Sequence, residues 1–144
     1  MLRAVFDTNI LVSALLTYTS GGVSIELLRF ASLGRFTLLV SDDILAETAG
    51  TLRTSARLRR RYGYTDRMVT SHLRDIGRLA EIVPAPPSLG RIVRDPDDDM
   101  IVACAVAGRA NYLVSRDQDI LALGSYRSIR IIAPEPFLNL VRGL

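Results

Sequence analysis

Residues 36–40 read Phe-Thr-Leu-Leu-Val, an apolar run so nearly unbroken that a strand built from it must be covered on both faces. Three further runs have strand length: 2–6 (Leu-Arg-Ala-Val-Phe), 111–115 (Asn-Tyr-Leu-Val-Ser) and 129–133 (Ile-Arg-Ile-Ile-Ala), and residues 80–83 add a short edge strand. Between them, apolar residues recur at helical spacing over 9–17, 21–33, 42–53, 65–79, 97–108 and 135–142. Ser41 and Thr65 stand where N-caps belong, Pro96 suits a first helical turn, and Gly34 follows the second helix. Alternation of this kind predicts a mostly parallel central sheet with helices on both faces, a three-layer α/β/α sandwich.

At 144 residues and 49% apolar, the chain has the size and composition of one compact domain, residues 1–144. The segment Pro84–Gly90 carries three of the six prolines but is too short to divide the chain, and reads as a surface connection. Cys104 is the single cysteine and lies among Val102, Ala103, Ala105 and Val106, so it cannot form an internal disulfide and fits a buried helical position in a reducing cytoplasm. Asp7 and Asn9 interrupt the apolar N-terminus, and no run approaches the roughly 20 apolar residues of a membrane span. Neither secretion nor membrane insertion is expected.

The acids are placed awkwardly for a stable domain. Asp7 stops the first strand, Glu47 rides beside the apolar stripe Ile44, Leu45, Thr48 and Leu52, and Asp117 follows the run ending at Ser115. Asp98, Ile101, Val102 and Ala105 follow the spacing i, i+3, i+4, i+7, which turns Asp98 inward and leaves Asp97 and Asp99 about 100° away. In a parallel sheet, ligands collect at the carboxyl ends of the strands, where Asp7 and Asp117 both fall. Singly, each acid has an ordinary structural role: Asp7 in a turn, Glu47 in solvent, Asp117 in an Asx turn or helix cap, and Asp95 before Pro96 capping a helix with Asp98 at its third position. Together, carboxylates gathered at one edge repel one another and cost stability unless a divalent cation neutralises them. Asn9 and Ser115 add neutral polar groups beside Asp7 and Asp117.

All 18 basic side chains are arginine, which excludes mechanisms that need a lysine, the P-loop included. Arg53, Arg57, Arg59, Arg60 and Arg61, followed by Tyr62 and Tyr64, form a basic and aromatic stretch suited to phosphates and unpaired bases, or else a solvated helix end. The sole histidine, His72, sits on a helical stretch and reads as a surface or packing residue; no cysteine or histidine cluster suits zinc.

Phe6-Asp7-Thr8-Asn9, Ser41 to Glu47 (SDDILAE), residues 95–121 (DPDDDMIVACAVAGRANYLVSRDQDIL) and the overall length resemble PIN-domain proteins, in particular toxin components of toxin–antitoxin systems. The resemblance runs through essentially the whole chain. It implies a PIN-like, Rossmann-like fold, cleavage of RNA dependent on Mg²⁺ or Mn²⁺, an antitoxin partner that blocks the acidic pocket, and a homodimer. The family's acidic quartet falls on Asp7, Glu47, Asp98 and Asp117. Asp119 belongs to the D-x-D ending, Asn9 and Ser115 match the polar companions of the first and fourth acids, and Asp95 or Asp99 stands as an alternative ligand within the DPDDD run. On this reading Asp7, Asp98 and Asp117 hold metal directly, and Glu47 holds a second metal or orients the attacking water.

Two other classes compete. A haloacid-dehalogenase-like phosphatase also places an aspartate after its first strand, but it needs a second aspartate where Asn9 stands and a lysine that is missing, and a phosphoacceptor receiver domain fails on the same lysine. A PIN fold that binds RNA or protein without cutting it is the more serious alternative, because carboxylates alone do not establish turnover.

Overall fold

A computed structural model describes residues 1–84, 90 and 96–144, with the side chains of Pro96 and Asp97 outside the description. Asp95 and residues 85–89 of the proline-rich connection therefore lie outside the described residues.

The apolar runs form the sheet. Strands β1 (Arg3–Phe6), β2 (Thr37–Val40), β3 (Glu81–Ile82), β4 (Tyr112–Val114), β5 (Ser125–Tyr126) and β6 (Ile129–Ile132) are ordered β3-β2-β1-β4-β6-β5. All pairings are parallel except β5 with β6, and Val5 lies opposite both Leu39 and Leu113 at the centre. The five runs read as strands correspond to β1, β2, β3, β4 and β6. Strand β5, a two-residue hairpin partner of β6, is too short to show any period.

Eight helices complete the described elements: α1 (Thr8–Leu16), α2 (Val23–Ser32), α3 (Asp42–Thr54), α4 (Ala56–Tyr62), α5 (Asp66–Leu79), α6 (Pro96–Ala107), α7 (Gln118–Leu121) and α8 (Pro134–Arg142). Ser41 caps α3 by accepting from the Ile44 N–H, and Thr65 caps α5 through Met68. The arginine-rich stretch is not the frayed end of α3 but a separate helix, α4, because Ser55 breaks α3 in an extended conformation and caps α4 through the Leu58 N–H. Gly63 closes α4 in the left-handed region, φ 68°, where a side chain would be strained.

Alternation along β1 sends its side chains to two layers. Phe6 packs with Phe36 and with Phe137 of α8, ring centroids 5.7 and 6.0 Å apart, while Tyr112 meets Phe137 at 5.6 Å. Arg3 faces the other way: its guanidinium donates twice to the Gly108 carbonyl just past α6, at 3.0 and 2.8 Å, and pairs with Glu81 of β3. Helices α6 and α8 thus cover opposite faces. Gly108 lies so close to the sheet that a Cβ there would approach Leu39 Cδ1 and Val83 Cγ2 to 2.9 Å. Cys104 is buried in α6, and burial pushes its thiol up to about 11, so it behaves as an inert packing group.

A second cluster, Val12, Leu15, Leu52, Tyr64 and Val69, joins α1, α3 and the start of α5. Polar atoms in and beside it are satisfied locally: Tyr64 donates to the Leu52 carbonyl at 2.6 Å, and His72 Nε2 lies 2.8 Å from the Leu11 carbonyl. His72 is a buried packing residue. No described helix is long and apolar enough to cross a membrane.

Gly108→Ala should lower stability by about 1–3 kcal/mol through overpacking, whereas Gly50→Ala, in α3 with open space around it, should raise it by about 0.5–1 kcal/mol; urea denaturation reads both. Burial lowers the His72 pKa below its ordinary 6.5, with the Leu11 hydrogen bond and Asp75 opposing in part. The unfolded chain then takes up a proton that the folded one resists, so this contribution is present above about pH 6.5 and is lost as pH falls through the folded value. The urea midpoint should drop between about pH 6.5 and 5 in the wild type and drop less in His72→Gln.

Candidate active site

The sheet reverses direction at β1. The chain leaves β1 for β2 on one side and later returns to β4 on the other, which opens a crevice between the carboxyl ends of β1 and β4. Pairing continues past the strands: the Asp7 N–H donates to the Val114 carbonyl at 2.9 Å and the Ser115 N–H to the Ile132 carbonyl at 3.0 Å. These bonds bring Asp7 and Ser115 side by side.

Ser115, fully buried, connects two acids. Its hydroxyl donates to Asp7 Oδ2 at 2.7 Å and accepts from the Asp117 N–H at 3.0 Å. Asp117 caps α7, its Oδ1 accepting from the N–H groups of Asp119 and Ile120 at 2.8 and 3.3 Å. Its Oδ2 has no hydrogen-bond partner among the described residues. Asp119 itself is exposed, and contributes its backbone N–H to the cap.

Asp7 retains only 5% of its surface. Burial raises its pKa above the ordinary carboxylate range; Ser115 and the Asn9 N–H pull it back, Asp117 pushes it up again, and the Thr8 N–H lowers it slightly. The Asn9 side chain is exposed, so Asn9 reaches Asp7 through its backbone, without closing a capping hydrogen bond. No described cation offsets this buried carboxylate.

Glu47 reaches the residue after Asp7 from α3. Its Oε2 accepts from Thr8 Oγ1 at 3.2 Å, which sets the carboxylate against the first residue of α1, next to Asp7. The acids alone do not point to Thr8; its place between Asp7 and Asn9 is the one signal in the sequence that does.

Asp98 is placed by its helix. The end of α6 touches Arg3 at the start of β1, so α6 runs antiparallel to the strands and begins at their carboxyl edge. From Gly108 back to Asp98 a helix rises about 15 Å, and from Arg3 to Asp7 a strand rises about 13 Å, so the two acids stand at similar height. The stripe that singled out Asp98 is not reproduced in the burial pattern: Asp98 and Asp99 are both half-buried, and Ile101, Val102, Ala103, Cys104 and Ala105 are all buried. A helix enclosed on every side has no amphipathic period to discriminate neighbouring acids.

All the candidate ligands are carboxylate and hydroxyl oxygens, the donor set of a hard divalent ion. The described side chains do not form a closed cage, since no three His, Cys, Asp or Glu residues among them lie close enough to grip an ion. The fit rests instead on the buried Asp7, which no described cation offsets, and on Asp117 Oδ2, which has no hydrogen-bond partner among the described residues, with the Ser115 hydroxyl joining Asp7 to the Asp117 backbone. An apolar cleft of about 900 Å³ opens elsewhere, beside α2 and α5, lined by residues including Leu15, Ile25, Leu28, His72, Ile76 and Leu79. It contains none of the four acids, so size does not mark the chemistry here.

The family model for the PIN domain matches residues 3–119. The chain belongs to the PIN-domain family. That span runs from β1 into the start of α7 and takes in all four acids. Among solved structures, this PIN domain is similar to VapBC2 from Rickettsia felis, determined bound to a DNA fragment from the promoter, with a TM-score of 0.62 and 17% identity over 90% of this chain and 97% of that one. At that identity the likeness concerns the fold. No curated protein sequence matches the chain.

Ser115→Ala should leave Asp7 Oδ2 and the Asp117 N–H short of a partner, at a cost of about 1–3 kcal/mol in urea denaturation; an unchanged midpoint would remove Ser115 from the organising role.

Proposed function

We propose that this PIN domain is a ribonuclease that hydrolyses RNA phosphodiester bonds with Mg²⁺ or Mn²⁺ and serves as the toxin of a toxin–antitoxin pair. The reading is carried by the Asp7–Ser115–Asp117 chain of hydrogen bonds, which holds a buried carboxylate and an adjacent, incompletely bonded one at the reversal point of a parallel sheet. Asp7, Asp117 and Asp98 would hold the ion. When bound, it neutralises charge on the phosphoryl oxygens and makes water a better nucleophile.

The chain's own groups supply position. Ser115 keeps Asp7 Oδ2 and the Asp117 backbone in register, and capping by Asp117 Oδ1 turns its second oxygen away from α7. Glu47, which accepts a hydrogen bond from Thr8, would orient the attacking water or hold a second ion. Asp99 is the nearest substitute for Asp98 in the first turns of α6, and Asp119 assists from solvent.

A toxin role draws support from family membership and from the fold likeness to VapBC2. It brings an antitoxin partner that blocks the acidic crevice, a homodimer, and a cytoplasmic location. Exposed Tyr18 and Met68 at the rim of the apolar cleft beside α2 and α5 are in keeping with an association surface.

Purified wild-type protein should cleave RNA only with Mg²⁺ or Mn²⁺, and Asp7→Asn or Asp98→Asn should slow cleavage roughly a hundredfold or more. In metal-free buffer Asp7→Asn should be no less stable than wild type, because it removes an ionisable group that burial disfavours. Adding Mn²⁺ should raise the melting temperature of the wild type and not of Asp7→Asn. Equal cleavage by both proteins would assign the activity to a contaminant, and metal binding without cleavage would leave a silent binding module.

A further inference from the structure

Helix α4 buries none of its residues, yet it is held firmly. Ser55 caps its start, Gly63 its end, and Tyr64 anchors the following turn by packing in the α1–α3–α5 cluster and donating to the Leu52 carbonyl. Two of the five arginines in the basic stretch serve this anchoring. Arg59 pairs with Asp66 at 2.7 Å and lies 5.3 Å over the Tyr64 ring, and Arg53 donates to Thr70 at 3.2 Å.

The other three do something else. Arg57, Arg60 and Arg61 follow the spacing i, i+3, i+4, which puts them on one face of α4, and all three are exposed without an acidic partner among the described residues. Between residues 53 and 67 six arginines face one acid, Asp66, which is already paired with Arg59. Arg61 lies 5.4 Å over the ring of Tyr62, which keeps 42% of its surface exposed. Leu58, the one aliphatic side chain of α4 beyond Ala56, is turned into the cluster beneath. The outer face therefore offers guanidinium groups, with the partly exposed Tyr62 ring about 100° round the helix from Arg61, and beyond that ring only the Ala56 methyl as apolar surface, too little for a protein partner to bury.

We propose that α4 is a preformed arm that grips unpaired RNA, with Arg57, Arg60 and Arg61 on successive phosphates and Tyr62 stacked on a base. The arm deepens the ribonuclease reading and rests on it for the choice of nucleic acid. From Glu47 to Ser55 helix α3 rises about 12 Å, so the arm contacts the strand away from the bond that is cut. Guanidinium groups bind phosphate bidentately, and a base can stack on a tyrosine whatever its sequence, so the arm supplies affinity and a preference for single strands.

The test is anisotropy of a labelled mixed-sequence oligoribonucleotide, single-stranded or duplex, titrated with the full chain in EDTA across salt concentrations. Each phosphate contact on a single strand adds about 0.7 to the slope of log affinity against log salt, so Arg57→Gln/Arg60→Gln/Arg61→Gln should lower that slope by about 2 with an unchanged melting temperature. The corresponding triple lysine variant should retain the slope, and Arg127→Gln, at an exposed turn, should not alter it. Tyr62→Ala should weaken single-strand binding about tenfold and leave duplex binding alone. An intact slope in the glutamine variant, an equal loss in the lysine variant, or equal effects of Tyr62→Ala on both RNA forms would overturn the proposal. So would loss of binding to a polyglutamate peptide with RNA binding intact, which would make the arm a protein dock. A reduced slope in a chain that never cleaves RNA would retire the ribonuclease reading alone, and Asp7-dependent cleavage with an intact slope would retire the arm alone.

Discussion

The parallel pairing of β1 with β4 continues one hydrogen bond beyond the strands, and the geometry of the acidic crevice depends on that extra bond. It places Asp7 beside Ser115, residues separated by 108 positions in sequence, so that one hydroxyl bonds two acidic residues. A short slip in this register would separate the acids, because side chains alternate between the faces of a strand. The apolar residues that fix the register, Val5, Leu113 and Val114, therefore act on the site without touching it.

The opposite edge of the sheet is closed by different means. Arg3 joins β1, β3 and the end of α6 through Glu81 and the Gly108 carbonyl, and Gly108 lets the helix settle onto Leu39 and Val83. Packing at this edge sets the tilt of α6, and so the position of Asp98 at its far end. The enclosed run Ile101–Ala105 leaves α6 no freedom to turn about its axis. The Arg3 and Gly108 contacts thus lie at one edge of the sheet and the acids proposed for catalysis at the other.

Much of this was legible in the residues, and the exceptions share a cause. Strands such as Phe-Thr-Leu-Leu-Val and the caps at Ser41 and Thr65 announce themselves through local pattern, as do the positions of Asp7 and Asp117 just past strand ends. Helix α4 has no apolar period, α7 is a single turn and β5 only two residues, so none carries the hydrophobic repeat that identifies an element. The Thr8 bond to Glu47 joins residues 39 apart and depends on how α3 lies against α1, which spacing does not encode. The spacing of Asp98, Ile101, Val102 and Ala105 does not single out an inner face, because Ile101–Ala105 are all buried and a stripe identifies an inner face only where an outer face exists.

Ser55 ends α3 and begins α4 in a single residue, with no linker between them. Glu47 and the arginines of α4 are consequently joined through a single bend, and their spacing follows the number of turns of α3 between Glu47 and Ser55. An insertion or deletion in the second half of α3 would shift the exposed cations by a set length and also rotate them about the axis, so tolerance to length change there should recur with the helical repeat.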